Sequence, residues 1–144
     1  MKKWLIIIFC LLLVACNDND TNTADSPEKA LQLLGSKEGD YPKIIKILNS
    51  IEVNEKQVFC IFKGKFNNHT EWFIANVEKD EDSNWFVKEL INIGLPNSEY
   101  EKYSAGTNTF TAGLSNNPKE KKDNRIIVTL PDNDYYVWIE LLDN

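Results

Sequence analysis

Histidine is nearly missing from this 144-residue chain, with His69 the single example. A Ser-His-Asp or Cys-His relay would have to run through that one imidazole, and no G-x-S-x-G turn presents a nucleophilic serine. Zinc needs three or four nitrogen or sulfur ligands, which His69 and a lone free thiol do not supply. Glycine is sparse as well. Gly35, Gly39, Gly64, Gly94, Gly106 and Gly113 are too scattered to form a phosphate-cradling loop. Basic residues number 16 against 22 acidic ones, so the formal charge of −6 disfavours unspecific attachment to nucleic acid or anionic lipid. Among so many carboxylates no spacing selects a pair for glycoside hydrolysis, because the required separation is a property of the fold. The sequence therefore predicts a protein that is not an enzyme and has no cofactor, no metal and no nucleic-acid partner.

Long apolar runs are also few. The one that exists, Trp4 to Cys16, has 13 residues and follows the positive start Met1-Lys2-Lys3. A spanning helix needs about 20 apolar residues, whereas a short apolar region behind a basic start is what an export leader requires. The run ends in Leu13-Val14-Ala15-Cys16, and polar residues follow at once. These four residues resemble the lipobox of bacterial lipoprotein precursors. The resemblance implies cleavage between Ala15 and Cys16 and transfer of a diacylglycerol to the Cys16 thiol. Two acyl chains, at about 0.8 kcal/mol per buried methylene, hold a protein on a membrane where one would not. A leader with an incidental cysteine, or an uncleaved anchor, is the alternative. The predicted organisation is a signal peptide at 1–15, a lipidated cysteine and solvated tether at 16–25, and one small domain at 26–144. Its place would be the outer face of the cytoplasmic membrane. Removal of Lys2 and Lys3 would leave 14 basic and 22 acidic residues, a charge of −8.

The body reads as α+β, with a short N-terminal helix packed on a mainly antiparallel meander and a C-terminal β-hairpin. Ser26, Pro27 and Glu28 are helix-start residues, Ala30, Leu31 and Leu34 share a face, and Gly35 is the expected stop. Residues Ile44 to Val53 fit either a helix or a strand, and the strand is favoured, with Ile45, Ile47, Ile51 and Val53 on one side and Asn49 out of place. Further strands are expected at Gln57 to Phe66, Glu71 to Glu78 and Trp85 to Ile91, separated by short polar breaks that include Asn67-Asn68-His69. Phe110 and Leu114 suggest short strands. Arg125 to Leu130 and Tyr135 to Leu142 flank the turn Pro131-Asp132-Asn133-Asp134. The stretch "SPEKALQLL", the paired strands and the terminal aromatic strand resemble small uncharacterised lipoproteins of low-GC Gram-positive bacteria, a likeness that implies no active-site residue.

Three tryptophans, Trp72, Trp85 and Trp138, are the candidate interaction surface for a protein or cell-wall carbohydrate ligand. The opposing expectation is that both sides of the sheet are covered, one by the helix and one by the hairpin. Cys60 is expected to be core, although His69 lies across a hairpin from it and a Cys–His pair is conceivable. Asp18-Asn19-Asp20-Thr21-Asn22 has alternating oxygens like a calcium loop, but Thr23 replaces its glycine and Lys29 its glutamate. Asp80-Glu81-Asp82 and Asp132-Asn133-Asp134 have the oxygens for a weak calcium ion, but acidic turns of this kind are ordinarily solvated turns. A small wall-acting enzyme or inhibitor, such as a lysozyme inhibitor, is the alternative function. The two-lobed binding part of a transporter needs a longer chain.

Overall fold

A computed structural model describes residues 23–37, 39–95, 104–117, 122–130 and 134–142. The lipobox with Ala15 and Cys16, the Asp18–Asn22 segment and Pro131 to Asn133 lie outside the described residues. Strand β1 (Thr23–Ala24) is followed by helix α1 (Pro27–Ser36) and four long strands, β2 (Lys43–Asn54), β3 (Gln57–Phe66), β4 (His69–Lys79) and β5 (Trp85–Gly94). Four shorter strands complete the chain: β6 (Ser104–Gly106), β7 (Phe110–Ser115), β8 (Arg125–Thr129) and β9 (Tyr136–Leu141). All pairings are antiparallel. The first sheet has the order β1-β5-β4-β3-β2, a meander with β1 added at its edge, and the second has the order β6-β7-β9-β8. The expected α+β class, meander and terminal hairpin are therefore present.

The three layers follow from side-chain alternation along β3 and β4. Phe59 and Ile61 of β3, with Trp72 and Ile74 of β4, face the second sheet and meet Phe110, Leu114, Val137 and Ile139. Val58, Cys60 and Phe62, with Phe73, Ala75 and Val77, face the other way and meet Ala30 and Leu31 of the helix. Both faces are buried, so these strands are near-continuous apolar runs, "VFCIF" and "WFIANV". Phe59 and Phe110 join the sheets edge to face at 4.9 Å, and Phe62 stacks on Phe73 at 5.3 Å.

Helix α1 starts as expected, with the Ser26 hydroxyl accepting the Lys29 amide at 3.2 Å. Gly35 does not stop it. The helix runs to Ser36 and is capped at Lys37 in an extended conformation. A Cβ on Gly35 would come within 3.0 Å of Ile44, so the glycine is there for close approach of helix to β2. The solvated tether also ends earlier than expected, because Thr23 and Ala24 pair with Phe86 and Trp85.

The ambiguity at Ile44 to Val53 has a physical source. Residues 43–54 form one strand, but its register against β3 breaks between Ile44 and Lys46, between Ile47 and Asn49, and between Glu52 and Asn54. Each extra residue reverses the facing of those after it. Ile44 and Ile47 accordingly pack towards the helix, Leu48, Ile51 and Val53 towards the second sheet, and Ile45 is 55% exposed. The single apolar side expected for Ile45, Ile47, Ile51 and Val53 is thus split by bulges, which mimic a helical period.

The β3–β4 turn is Asn67-Asn68, both with positive φ (46° and 67°), the geometry of a two-residue turn matched to strand twist. His69 is the first residue of β4 rather than part of the turn. Gly64 lies where a Cβ would sit 2.9 Å from Pro42 and 3.1 Å from Phe73. Gly64→Ala is expected to lower unfolding stability by about 1–3 kcal/mol in urea titrations.

Candidate functional site

Trp85 combines a large aromatic body with a cluster of charged neighbours and a concavity. It opens β5, opposite Ala24 on one side and Lys79 on the other. Trp85 is 9% exposed and closes one wall of an open concavity of about 520 Å³. The Lys79 ammonium stands 4.7 Å from the ring centroid. Pro27 and Glu28 from the first helical turn, Ser50 and Glu52 from β2, Glu55 from the β2–β3 turn and Val58 complete the lining. The Ser50 hydroxyl donates to Glu28 at 3.0 Å, which fixes the carboxylate against the sheet. Three glutamates and one lysine around an aromatic wall offer hydrogen-bond acceptors beside an apolar surface. That combination suits a polar ligand with an apolar face, such as a sugar, or a segment of protein.

Cys60 lies beneath this concavity with no exposure, and its sulfur is 3.7 Å from the Ser50 hydroxyl. Burial pushes its thiol up from the ordinary 9.0 to about 11, against the pull of the Ser50 hydrogen bond. It is the protonated core cysteine of expectation. His69 is exposed and opposite Phe66, whereas Cys60 is opposite Ala75. Six residues of strand separate the two positions, about 20 Å at 3.3 Å per residue, so no Cys–His pair exists. In folded protein the Cys60 peptide is expected to resist a thiol reagent and to label at once in denaturant, read by mass spectrometry. The raised value also sets a pH dependence. An acid with a folded pKa above its unfolded one stabilises the fold below the unfolded value and loses that contribution as pH rises. Unfolding stability is therefore expected to fall between pH 9.0 and about 11, and Cys60→Ala to flatten the fall in that window.

The three sequence-predicted tryptophans do not share a surface. Trp72 is 1% exposed in the core between the sheets. Trp85 faces the helix layer. Trp138 is half-buried on β9, between the inward-facing Val137 and Ile139, with the Arg125 guanidinium 5.7 Å from its ring. The common aromatic surface is thus corrected to one lining residue, Trp85. Strand alternation in the sequence puts Trp72 on the side away from Phe73, Ala75 and Val77, but it could not show that a second sheet covers that side. Glu28, Ser50, Glu52, Glu55 and Lys79 were not legible as a group, because strand register alone brings them together.

Other polar groups have structural work. Asn76 is fully buried and satisfied. It accepts from Gln57 at 3.2 Å and donates to Glu78 at 3.1 Å and Glu89 at 3.3 Å, while the Thr109 hydroxyl donates to Glu89. Lys88 bonds both oxygens of Glu78. The network ties β3, β4 and β5 to the turn before β7. Asp80 accepts the amides of Asp82 and Asn84 at 2.9 and 2.8 Å, so its carboxylate builds the turn. Arg125 and Glu140 pair across β8 and β9, and the guanidinium holds the Glu140 carboxyl below the usual carboxylate range. Among the described residues no group of three or more His, Cys, Asp or Glu could hold a metal ion, and no helix is long and apolar enough to cross a membrane.

Comparison of the chain with models of known protein families, with curated proteins and with solved structures finds no match in any of the three.

Proposed function

We propose that this chain is a lipid-anchored extracytoplasmic binding module, held through Cys16 on the outer face of the cytoplasmic membrane. The observation that carries the reading is Leu13-Val14-Ala15-Cys16 at the end of the apolar run, with β1 beginning at Thr23, only seven residues beyond the cysteine. Seven residues at 3.3–3.6 Å each reach about 25 Å, enough to seat a domain close above lipid headgroups. The test is Cys16→Ser. The variant is expected to lose membrane retention and lipoprotein-type processing, read by fractionation and mass spectrometry. Unchanged retention would overturn the anchor.

The ligand of this module, a cell-wall carbohydrate or a protein segment, is assigned to the concavity beside Trp85. Glu52 and Glu55 are exposed and make few demands on the fold. Glu52→Gln with Glu55→Gln is therefore expected to leave stability within about 0.5 kcal/mol. The same pair should weaken retention on immobilised wall fragments several-fold. A second reading has one observation in its favour, since three carboxylates, Glu28, Glu52 and Glu55, line the same concavity. A small wall-acting hydrolase would release soluble sugar from those fragments and lose that activity in Glu52→Gln or Glu28→Gln. An inhibitor would instead slow an added lysozyme.

A further inference from the structure

The register of β2 on β3 sets Lys43 directly opposite Lys65 and Lys46 directly opposite Lys63. Directly opposed residues of an antiparallel pair project to the same side with their Cβ atoms about 5 Å apart, and like charges so placed oppose folding. The side is that of Phe59 and Ile61, the face that packs on the second sheet further along. Four ammonium groups therefore continue the apolar stripe formed by Leu48, Ile51 and Val53. None of the four forms an ion pair with a described residue. The pairs Lys29–Asp25, Lys88–Glu78, Lys122–Glu140 and Arg125–Glu140 all lie elsewhere. Glu71, opposite Gly64, alternates onto the other face and bonds Asn92. Lysines on an edge strand discourage strand pairing, which accounts for Lys43 and Lys46 on β2. It does not account for Lys63 and Lys65, because β3 is an interior strand; the Lys63 ammonium lies 5.9 Å from the Trp72 ring, and Lys65 has no such contact among the described residues.

We propose that this corner binds a linear, phosphate-bearing polyanion. Lysine is a compact point charge without the planar fork of arginine, so it suits oxyanions repeated along a flexible chain better than one fixed carboxylate. A hollow of about 440 Å³ adjoins the array, lined by Lys43, Lys65, Tyr41, Asn67 and Asn68, with room for such a chain and amide donors to meet it. A bilayer is the less suitable occupant. The corner is at the Gly94 end of the first sheet, since Lys63 pairs with Trp72 and Trp72 with Gly94, whereas β1 pairs at the Trp85 end. Ten residues of β5 separate those ends, about 33 Å of strand. With the chain tied through Cys16, the lysines lie at the end of the sheet remote from the tether, and this placement alone rests on the proposed anchor.

The test uses detergent-solubilised full-length protein and inorganic polyphosphate as the probe, with orthophosphate, polyglutamate and anionic phospholipid vesicles as the other arms. Saturable polyphosphate binding that weakens steeply with salt is expected. Lys43→Gln with Lys65→Gln should reduce the affinity at least tenfold, and Lys56→Gln, in the turn at the far end of β2, should change it less than twofold. Without probe, the double variant should melt at or above the temperature of the parent, because it relieves like-charge opposition. Absence of polyphosphate binding, equal binding by the double variant, or a tighter grip on polyglutamate or vesicles would overturn the proposal. Cys16→Ser should bind polyphosphate normally, so failure of the anchor and failure of this site are read separately.

Discussion

Trp72→Ala is expected to remove about 3–5 kcal/mol of unfolding stability, the range for deleting a buried large aromatic side chain. The indole is 1% exposed and packs among Ile74, Ile93 and the inward residues of the second sheet. Its removal leaves a void between two sheets that are each held by their own hydrogen-bond ladders, so neither can collapse freely into the space. A small domain has about 5–15 kcal/mol in total, so this one change removes about a fifth of it or more. Trp138→Ala is the control, with an expected loss of about 1 kcal/mol or less from its half-buried place on β9. Urea titrations of both variants, followed by far-ultraviolet circular dichroism, give the comparison. Equal losses would contradict the assignment of Trp72 to the interior and restore the case for a shared aromatic surface.

Leu31→Ala is the second large effect, expected at about 2–5 kcal/mol. Ala30 and Leu31 are the buried residues of α1, and Leu31 has no exposure. A helix of 10 residues is too short to persist in water by itself, so its docking on the sheet is what maintains it. The loss should therefore be local before it is global. Amide exchange in residues 27–36 is expected to rise well above that of β3 and β4 in the variant. Because Glu28 is delivered to the Trp85 concavity by the same helix, ligand retention should fall with it. Uniform loss of protection across helix and sheet would show instead that the layers unfold only together.

These two residues also show how far the sequence could be read. The polar breaks at Asn54-Glu55-Lys56, Asn67-Asn68-His69 and Asp80 to Asn84 predict the meander because short turns favour antiparallel neighbours. Ser26 predicts the helix start through one hydrogen bond. Periodicity misleads at Ile44 to Val53, where bulges reset the alternation and imitate a helical spacing. Gly35 misleads because a glycine used for close contact is indistinguishable, in one sequence, from one used as a terminator. Lys63 and Lys65 alternate visibly in "FKGKF", but Lys43 and Lys46 join them only through the bulge at Ile45. The concavity depends on Glu28, Ser50, Lys79 and Trp85, drawn together by register from distant parts of the chain, and no local pattern announces it.

The two-residue length of β1 has a mechanical consequence. A load applied through the N-terminal segment reaches the body first at Thr23 and Ala24, which are held opposite Phe86 and Trp85. So short a ladder opens locally at little cost, well before strands of ten or more residues give way. Released, it pays out further chain as far as the Ser26 cap. If the chain is tied through Cys16 as proposed, β1 would act as a fuse, letting the tether lengthen under strain while the sheet and the hollow above Trp85 keep their shape.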